Sequence, residues 1–366
     1  MLTAILFFIG GLVILILGAD FLLRGSSRLA AAFGISPLTI GLTIVAIGTA
    51  SPEIAVSLRA ALHGQGDLTL GNVLGSNIFN ILFILGMTAI VAPIVIAEQL
   101  IRMDAPIMLA ASLLVLALVL DGNLGLFDSL VLLTCLVGYT VFALRQSRRE
   151  SQKVQKEYAE EYAEKQARTT RNTLTNLLFI VTGLGLLAAG SRWLVDSAVS
   201  IARMLRVSEL IIGLTIVAVG TSLPEVTTSL MAGLKRQSDI AVGNAVGSNI
   251  FNLLGVLGVG TLLAPGGIPV SARLLQFDIL VMIFVALVSL PVFYLDSRIS
   301  RVEGSLLLMY YTLYLAYIIL QATNSAALSS VTWFAAFFVP LTFLALIGFA
   351  IRSARMRRRR QFPASS

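Results

Sequence analysis

Two glutamates stand at matching positions of an internal repeat. Glu53 closes the stretch Gly-Thr-Ala-Ser-Pro-Glu, and Glu225 closes the stretch Gly-Thr-Ser-Leu-Pro-Glu, which lies 172 residues further along (225 − 53). The same offset, without an insertion, relates two hexapeptides letter for letter: GLTIVA at 41–46 and 213–218, and GSNIFN at 75–80 and 247–252. Carboxylates are ligands of hard cations, so the duplicated unit predicts one shared cation site.

Other oxygen donors accompany both glutamates. Pro52 and Pro224 each remove a backbone donor just before the glutamate, so each helix is expected to break there and to free carbonyl oxygens. The expected ligands are the carbonyls of Ala46 and Ala218 and the side chains of Glu53, Glu225, Thr49, Thr221, Ser222, Ser76, Ser248, Asn80 and Asn252. Calcium takes about 6–8 oxygen ligands and sodium is similarly hard, whereas zinc or copper would call for histidine or cysteine.

Residues that bind softer metals are scarce. His63 is the only histidine and Cys135 the only cysteine. We expect His63 to be an exposed residue at a loop edge, and Cys135 to be a small apolar side chain. A single cysteine forms no internal disulfide and no thiolate cluster. No resident cofactor is therefore expected, and the cations are substrates.

The composition places these motifs in a membrane. Hydrophobic residues make up 57% of the chain and charged residues 12%, which is too apolar for one soluble core. Apolar runs approach the roughly 20 residues that cross a bilayer as a helix. A membrane β-barrel is disfavoured, because its strands alternate in polarity over about 10 residues. The fold class is predicted to be an all-α polytopic membrane protein.

Eleven helical spans are predicted. They cover residues 2–23, 36–62, 68–95, 104–121, 125–144, 173–194, 208–234, 239–264, 275–295, 303–322 and 331–351. The first is interpreted as a span and not as a signal peptide, because no basic segment precedes it. The predicted divisions are a first repeat at 1–144, a charged cytoplasmic linker at 145–172, a second repeat at 173–322, an extra transmembrane helix at 323–351 and a basic tail at 352–366.

Charge and span count predict the orientation of the two repeats. With the N-terminus outside, most of the 26 Lys and Arg residues fall on the cytoplasmic side, and the C-terminus is cytoplasmic as well. Five spans separate each motif from its copy, and an odd number means that the repeats are inverted. Inverted repeats enclose a pseudo-two-fold axis in the membrane plane. We therefore expect Glu53 and Glu225 to face each other near the midplane.

These residues resemble the calcium/cation antiporter superfamily, especially the prokaryotic sodium/calcium exchangers. Gly-Thr-Ala-Ser-Pro-Glu53 and Gly-Thr-Ser-Leu-Pro-Glu225 look like the first-helix motifs of that family, and the two GSNIFN hexapeptides look like its second-helix motifs. The resemblance covers roughly residues 1–322. It implies a ten-helix core of two five-helix repeats, sodium and calcium sites between broken helices, and alternating access by sliding of two peripheral helices.

Three features depart from the family pattern. Ala50 stands where the second repeat has Ser222, which removes one hydroxyl from the expected ligand set. Asn252 stands where some sodium/calcium exchangers have an aspartate, which leaves two formal charges rather than three. The eleventh span and the arginine-rich tail exceed the ten-helix pattern.

The expected function is secondary active exchange of calcium for sodium across the cell membrane, in bacteria the inner membrane. A calcium/proton exchanger is the alternative within the same class, because paired glutamates also bind protons. A passive cation channel and an intramembrane hydrolase with paired carboxylates are alternatives from other classes. The expected partners are calcium and sodium ions and the lipid bilayer, with no nucleic acid. The chain is expected to act as a monomer and not as an enzyme.

Overall fold

The computed structural model describes residues 2–149, 170–207, 209–295 and 297–361. Most of the predicted linker, the end of the tail and Ser208 lie outside the described residues. The helices are α1 (Leu2–Phe33), α2 (Pro37–Thr49), α3 (Ser51–Leu62), α4 (Gly66–Val91), α5 (Leu100–Leu118), α6 (Leu126–Arg149), α7 (Thr170–Met204), α8 (209–220), α9 (Leu223–Leu234), α10 (Ser238–Leu263), α11 (Leu274–Tyr294), α12 (Arg301–Ala322) and α13 (Leu328–Gln361).

The helical, membrane-spanning class is confirmed. In the described ranges nine helices are long and apolar enough to cross a bilayer, and the pair α2 and α3, bent by 50°, is a tenth candidate. The predicted seventh span corresponds to the two shorter helices α8 and α9. The first span was predicted to end at residue 23, but α1 continues to Phe33. Gly34 follows the last helical residue, and its φ of +64° is the left-handed conformation that often closes a helix.

Three pairs of π-helical turns recur at equivalent places of the two repeats. They lie at Gly41–Val45 and Gly213–Val217, at Asn80–Leu85 and Asn252–Val256, and at Leu100–Asp104 and Leu274–Asp278. Such turns insert an extra residue into a helix and often accompany functional sites. Four of the six lie within or next to the predicted ligand segments.

Two small antiparallel sheets join the repeats. Strand β1 (Ile94–Val95) pairs with β4 (Arg298–Ile299), and β2 (Asn123–Leu124) pairs with β3 (Ile268–Pro269). Each sheet therefore takes one strand from each repeat, in reciprocal order. A two-fold relation between the repeats requires this reciprocity.

The helices divide into a buried centre and an exposed periphery. Helices α4 and α10, which carry the GSNIFN hexapeptides, are the most buried of the long helices. In each of them, 78% of the residues in the most apolar stretch are buried. Helix α13 lies at the other extreme, at 6%. It packs on α11 and α12 through aromatic rings such as Phe338 against Tyr310.

The long helices α1 and α7 cross with their backbones in contact. Gly11 and Gly18 of α1 meet Gly190 and Gly183 of α7, and a Cβ built on any of these four would lie within 2.9 Å of a backbone atom of the other helix. Gly10, the neighbour of Gly11, has a different environment. A Cβ there would meet only the Trp193 ring, at 3.8 Å. This backbone contact depends on small residues, as is common where membrane helices associate.

We expect Gly11→Ala to destabilise the protein by about 1–3 kcal/mol, because the added methyl forces α1 and α7 apart. Gly10→Ala is the matched control, since it adds the same methyl at ordinary van der Waals distance from the Trp193 ring. It should be neutral or stabilise by up to about 1 kcal/mol through helix propensity. Thermal unfolding of the purified protein in detergent measures both. Equal unfolding temperatures for the two variants would contradict the close crossing.

Candidate cation-binding site

The helix break of the first repeat lies at Ala50, between α2 and α3. Pro52 has no N–H for the carbonyl of Gly48, and the Ser51 hydroxyl donates to that oxygen instead, at 2.7 Å. The expectation of a freed Ala46 carbonyl is wrong in this respect, because the Ala50 N–H donates to it at 3.0 Å. The oxygen freed by a proline is the one four residues earlier, which is Gly48. Ala46 O still lies 3.4 Å from Ser248 Oγ of the second repeat.

The second repeat breaks at the equivalent place. Ser222 lies between α8 and α9, and Ala218 lies in the last helical turn before it. Pro224 leaves the Gly220 carbonyl without its helical donor, and the Ser191 hydroxyl of α7 donates to it at 2.7 Å. Serines thus satisfy both freed carbonyls, one from the break itself and one from a neighbouring helix.

Glu53 lies at the contact between the two breaks. Its side chain is 1% exposed, and Ser222 Oγ donates to its Oε1 at 2.6 Å. Ser76 Oγ of α4 lies 3.4 Å from Ser222 Oγ. Three predicted ligands, contributed by both repeats, therefore meet at one point.

Glu225 is equally buried and lies near the Thr49 hydroxyl, which forms its hydrogen bonds elsewhere. It is 1% exposed, and both of its carboxylate oxygens lack a hydrogen-bond partner among the described residues. The residue equivalent to Ser222 in the first repeat is Ala50, whose side chain has no hydroxyl to donate. Glu225 also lies within electrostatic range of Glu53, whose Oε2 likewise has no partner in the described chain. A buried carboxylate without donors or counter-charge is unstable, so this arrangement requires a cation or a proton.

The remaining hydroxyls line the same region. Thr49 Oγ1 lies 3.1 Å from Val45 O and 3.0 Å from Asn244 Oδ1 of the second repeat. Thr221 Oγ1 is buried and finds no hydrogen-bond partner in the described ranges. Thr49 is therefore engaged across the repeat boundary, while Thr221 places its hydroxyl near Glu53 without a hydrogen bond to the described residues.

Two asparagines brace the helices that carry the glutamates. Asn72 Nδ2 donates to Ser57 Oγ at 2.9 Å, and Asn244 Nδ2 donates to Ser229 Oγ at 3.0 Å. Each amide also approaches the backbone carbonyl of the glutamate in its own repeat, at 3.4 Å. Neither asparagine was predicted as a ligand, although the 172-residue offset relates the two.

A second pair of buried carboxylates also escaped the sequence analysis. Asp104 in α5 accepts a hydrogen bond from Tyr139 at 3.2 Å, and Asp278 in α11 accepts one from Tyr314 at the same distance. Both aspartates therefore have donors, unlike Glu225. These contacts tie α5 to α6 and α11 to α12.

The donor set suits a hard cation. The described residues contain no group of three or more His, Cys, Asp or Glu side chains that could hold a metal ion. A cation at the breaks would therefore be held by two carboxylates and by neutral oxygens, the environment that calcium and sodium prefer.

Comparison with known proteins agrees with this geometry. The family model described as sodium/calcium exchanger protein matches residues 3–145 and 175–320, which ends before α13. The putative antiporter CaxA of Alkalimonas amylolytica is 41% identical, with 84% of this chain and 96% of the relative covered. The sodium/calcium exchanger MaX1 of Methanosarcina acetivorans is 32% identical, with 83% and 95% covered.

A solved structure extends the comparison to the fold. The sodium-calcium exchanger NCX_Mj superposes with a TM-score of 0.73 at 30% sequence identity, and the match covers 86% of this chain and 98% of that one. The helix breaks and the paired glutamates lie within the ranges that the family model matches, and these ranges cover nearly all of both repeats. The chain belongs to the sodium/calcium exchanger protein family.

Proposed function

We propose that this chain is a secondary active antiporter that exchanges calcium for sodium by alternating access. The observation that carries the proposal is the pair of buried carboxylates, one from each repeat, with three of their four oxygens lacking a hydrogen-bond partner among the described residues. Two negative charges in this setting match one Ca²⁺ in charge. No other fully buried carboxylate oxygen lacks a hydrogen-bond partner in the described part of the chain.

Charge balance provides the coupling. When calcium leaves, two unpaired carboxylates remain in a medium of low dielectric constant, where desolvated charges are costly. Closure of the emptied site is therefore unfavourable until other cations replace calcium. Sodium and calcium then compete for one site, and each stabilises the closed state when bound. Competition of this kind produces exchange and not passive flow.

The proposed ligands come from both repeats. Glu53 and Glu225 supply the charges, and the neutral oxygens come from Ala46, Ala218, Thr49, Thr221, Ser222, Ser76, Ser248, Asn80 and Asn252. The names of MaX1 and NCX_Mj favour sodium as the counter-ion over protons. No part of this function requires a resident cofactor or a covalent reaction.

The same proposal includes the arrangement in the membrane. The repeats are inverted about an axis in the bilayer plane, with the N-terminus outside and the basic C-terminal tail in the cytoplasm. All proposed ligands lie within one chain, so a monomer is sufficient for exchange.

Calcium-45 uptake into proteoliposomes tests the function. Vesicles loaded with sodium and diluted into sodium-free medium should accumulate calcium, whereas vesicles with equal sodium on both sides should not. A pH gradient imposed alone separates the alternative, because a calcium/proton exchanger would respond to it. Uptake driven only by the pH gradient would identify protons, and not sodium, as the counter-ion. Uptake without any counter-ion gradient would indicate a channel.

Glu53→Gln and Glu225→Gln should each reduce sodium-driven calcium uptake at least about tenfold, because one charge no longer balances a divalent cation. Glu98→Gln is the control. This glutamate is 74% exposed and pairs with Arg102 on the surface, where ion pairs contribute little. Full uptake by Glu53→Gln would refute the assignment of the site.

Ser222→Ala should raise the half-saturating calcium concentration about tenfold, since a hydroxyl that contacts the Glu53 carboxylate is lost. Ala50→Ser is the reciprocal variant, which places a hydroxyl beside Glu225. It should lower the half-saturating sodium concentration. Initial rates of calcium-45 uptake over a range of both ions measure these constants. Unchanged constants in Ser222→Ala would remove this serine from the ligand set.

The orientation is tested with single cysteines in Cys135→Ser protein. A cysteine at Gln361, at the end of α13, should react with a membrane-impermeant maleimide only after right-side-out vesicles are opened. A cysteine at Gly122, between α5 and α6, should react from outside. The opposite pattern would invert the proposed topology.

A further inference from the structure

Four buried asparagines form a network where α4 meets α10. Asn77 and Asn80 belong to α4, Asn249 and Asn252 belong to α10, and none is more than 3% exposed. Only Asn80 and Asn252 were predicted as ligands. Asn77 and Asn249 precede them by three residues, so they lie nearly one helical turn away on each helix.

Backbone carbonyls fix the orientation of two of the amides. The side chain of Asn77 lies 3.3 Å from the backbone oxygen of Asn249, and the side chain of Asn249 lies 3.1 Å from the backbone oxygen of Asn77. A carbonyl oxygen only accepts hydrogen bonds, so each amide must turn its nitrogen toward it. The sulfur atoms of Met282 and Met108 accept from the same two nitrogens, at 3.8 and 3.5 Å.

The orientation of the other two amides follows. With its nitrogen engaged, Asn77 presents its Oδ1 to Asn252, and Asn249 presents its Oδ1 to Asn80. Those contacts are 3.3 and 2.9 Å long, and an oxygen acceptor requires a nitrogen donor opposite it. The Oδ1 atoms of Asn80 and Asn252 must therefore point away from the network. Both are buried, and neither has a hydrogen-bond partner in the described part of the chain.

We infer that Asn77 and Asn249 are positioning residues, each of which turns the amide oxygen of the opposite repeat's ligand toward the transported cation. Asn77 acts on Asn252, and Asn249 acts on Asn80. This inference rests on the proposed function, which makes Asn80 and Asn252 ligands. Without the network either amide could rotate by 180° and present its nitrogen to the cation.

The network also accounts for the neutral residue at position 252. An aspartate there would place a carboxylate oxygen against Asn77 Oδ1, and two acceptors would face each other without a proton between them. The same conflict would arise between an aspartate at position 80 and Asn249. The asparagine pair thus keeps the formal charge of the site at that of Glu53 and Glu225.

Double-mutant cycles test the crossed assignment. Asn77→Leu keeps the size of the side chain and should weaken equilibrium calcium binding, measured with calcium-45 on purified protein in detergent, about tenfold. Combined with Asn252→Ala it should cause no further loss, because the amide that it positions is already gone. Combined with Asn80→Ala, a residue on its own helix, it should cause its full loss again. The reciprocal cycles pair Asn249→Leu with Asn80→Ala and with Asn252→Ala.

Transport supplies a second readout. Loss of positioning should raise the half-saturating calcium concentration in proteoliposomes while flux at saturating calcium stays at the wild-type level. Ser112→Ala is the control, since this buried hydroxyl bonds to the Met108 carbonyl within its own helix and should leave both values unchanged. Asn249→Leu supplies the same test from the other repeat if Asn77→Leu does not fold.

The outcomes separate the inference from the function beneath it. Additive effects of Asn77→Leu and Asn252→Ala, or wild-type calcium binding by Asn77→Leu, would overturn the positioning role while leaving exchange intact. Absence of sodium-driven calcium uptake by the wild-type protein would instead overturn the proposed function.

Discussion

The structure depends on two carboxylates that are removed from water without enough donors to stabilise them. Glu53 receives one hydrogen bond from Ser222, and the oxygens of Glu225 receive none from the described residues. Most buried polar groups in proteins are satisfied, so such an arrangement persists only where a ligand completes it. The duplicated break, the hydroxyls around it and the amides of α4 and α10 can all be understood as means of placing neutral oxygens around this charge. The same lack of hydrogen-bond donors to the two carboxylates couples release of one ion to capture of another.

Much of this site could be predicted because the chain carries each motif twice. The 172-residue offset identified both glutamates, both breaks and the hexapeptides of α4 and α10. The wrong expectation for Ala46 could have been avoided from the sequence alone, since a proline releases the carbonyl four residues before it, which is that of Gly48 for Pro52. Asn77 and Asn249 could not be found by helical spacing, because their role depends on where α4 meets α10. The first span was predicted to end at residue 23 because bilayer thickness sets the length of a span, but it does not set where the helix ends; α1 continues past Arg24, which pairs with Asp20 of the same helix.

The two repeats are related by reciprocal contacts, yet they are not chemically equal. Ser222 supports Glu53, but Ala50 cannot support Glu225. Ser191 bonds to the Gly220 carbonyl from α7, whereas its equivalent in α1 is Ala19, and the Gly48 carbonyl is satisfied by Ser51 instead. The first difference gives one glutamate a hydrogen bond that the other lacks, and the second changes the residue that donates to the freed carbonyl. If the two repeats exchanged their conformations, the resulting structure would therefore differ in energy from the observed one, even though its geometry would be nearly the same.

The peripheral helices α1 and α7 show the same inequality in charge. Asp20 of α1 forms ion pairs with Lys235, which follows α9, and with Arg24. At the equivalent positions Arg192 pairs with Asp196 on its own helix, and His63 stands in place of Lys235. If α1 and α7 exchanged roles, Arg192 would approach His63, and no opposite charges would meet. The observed arrangement thus has an electrostatic attraction, between Asp20 and Lys235, that the exchanged arrangement lacks. Differential binding of cations must supply the free energy that moves the protein between the two arrangements.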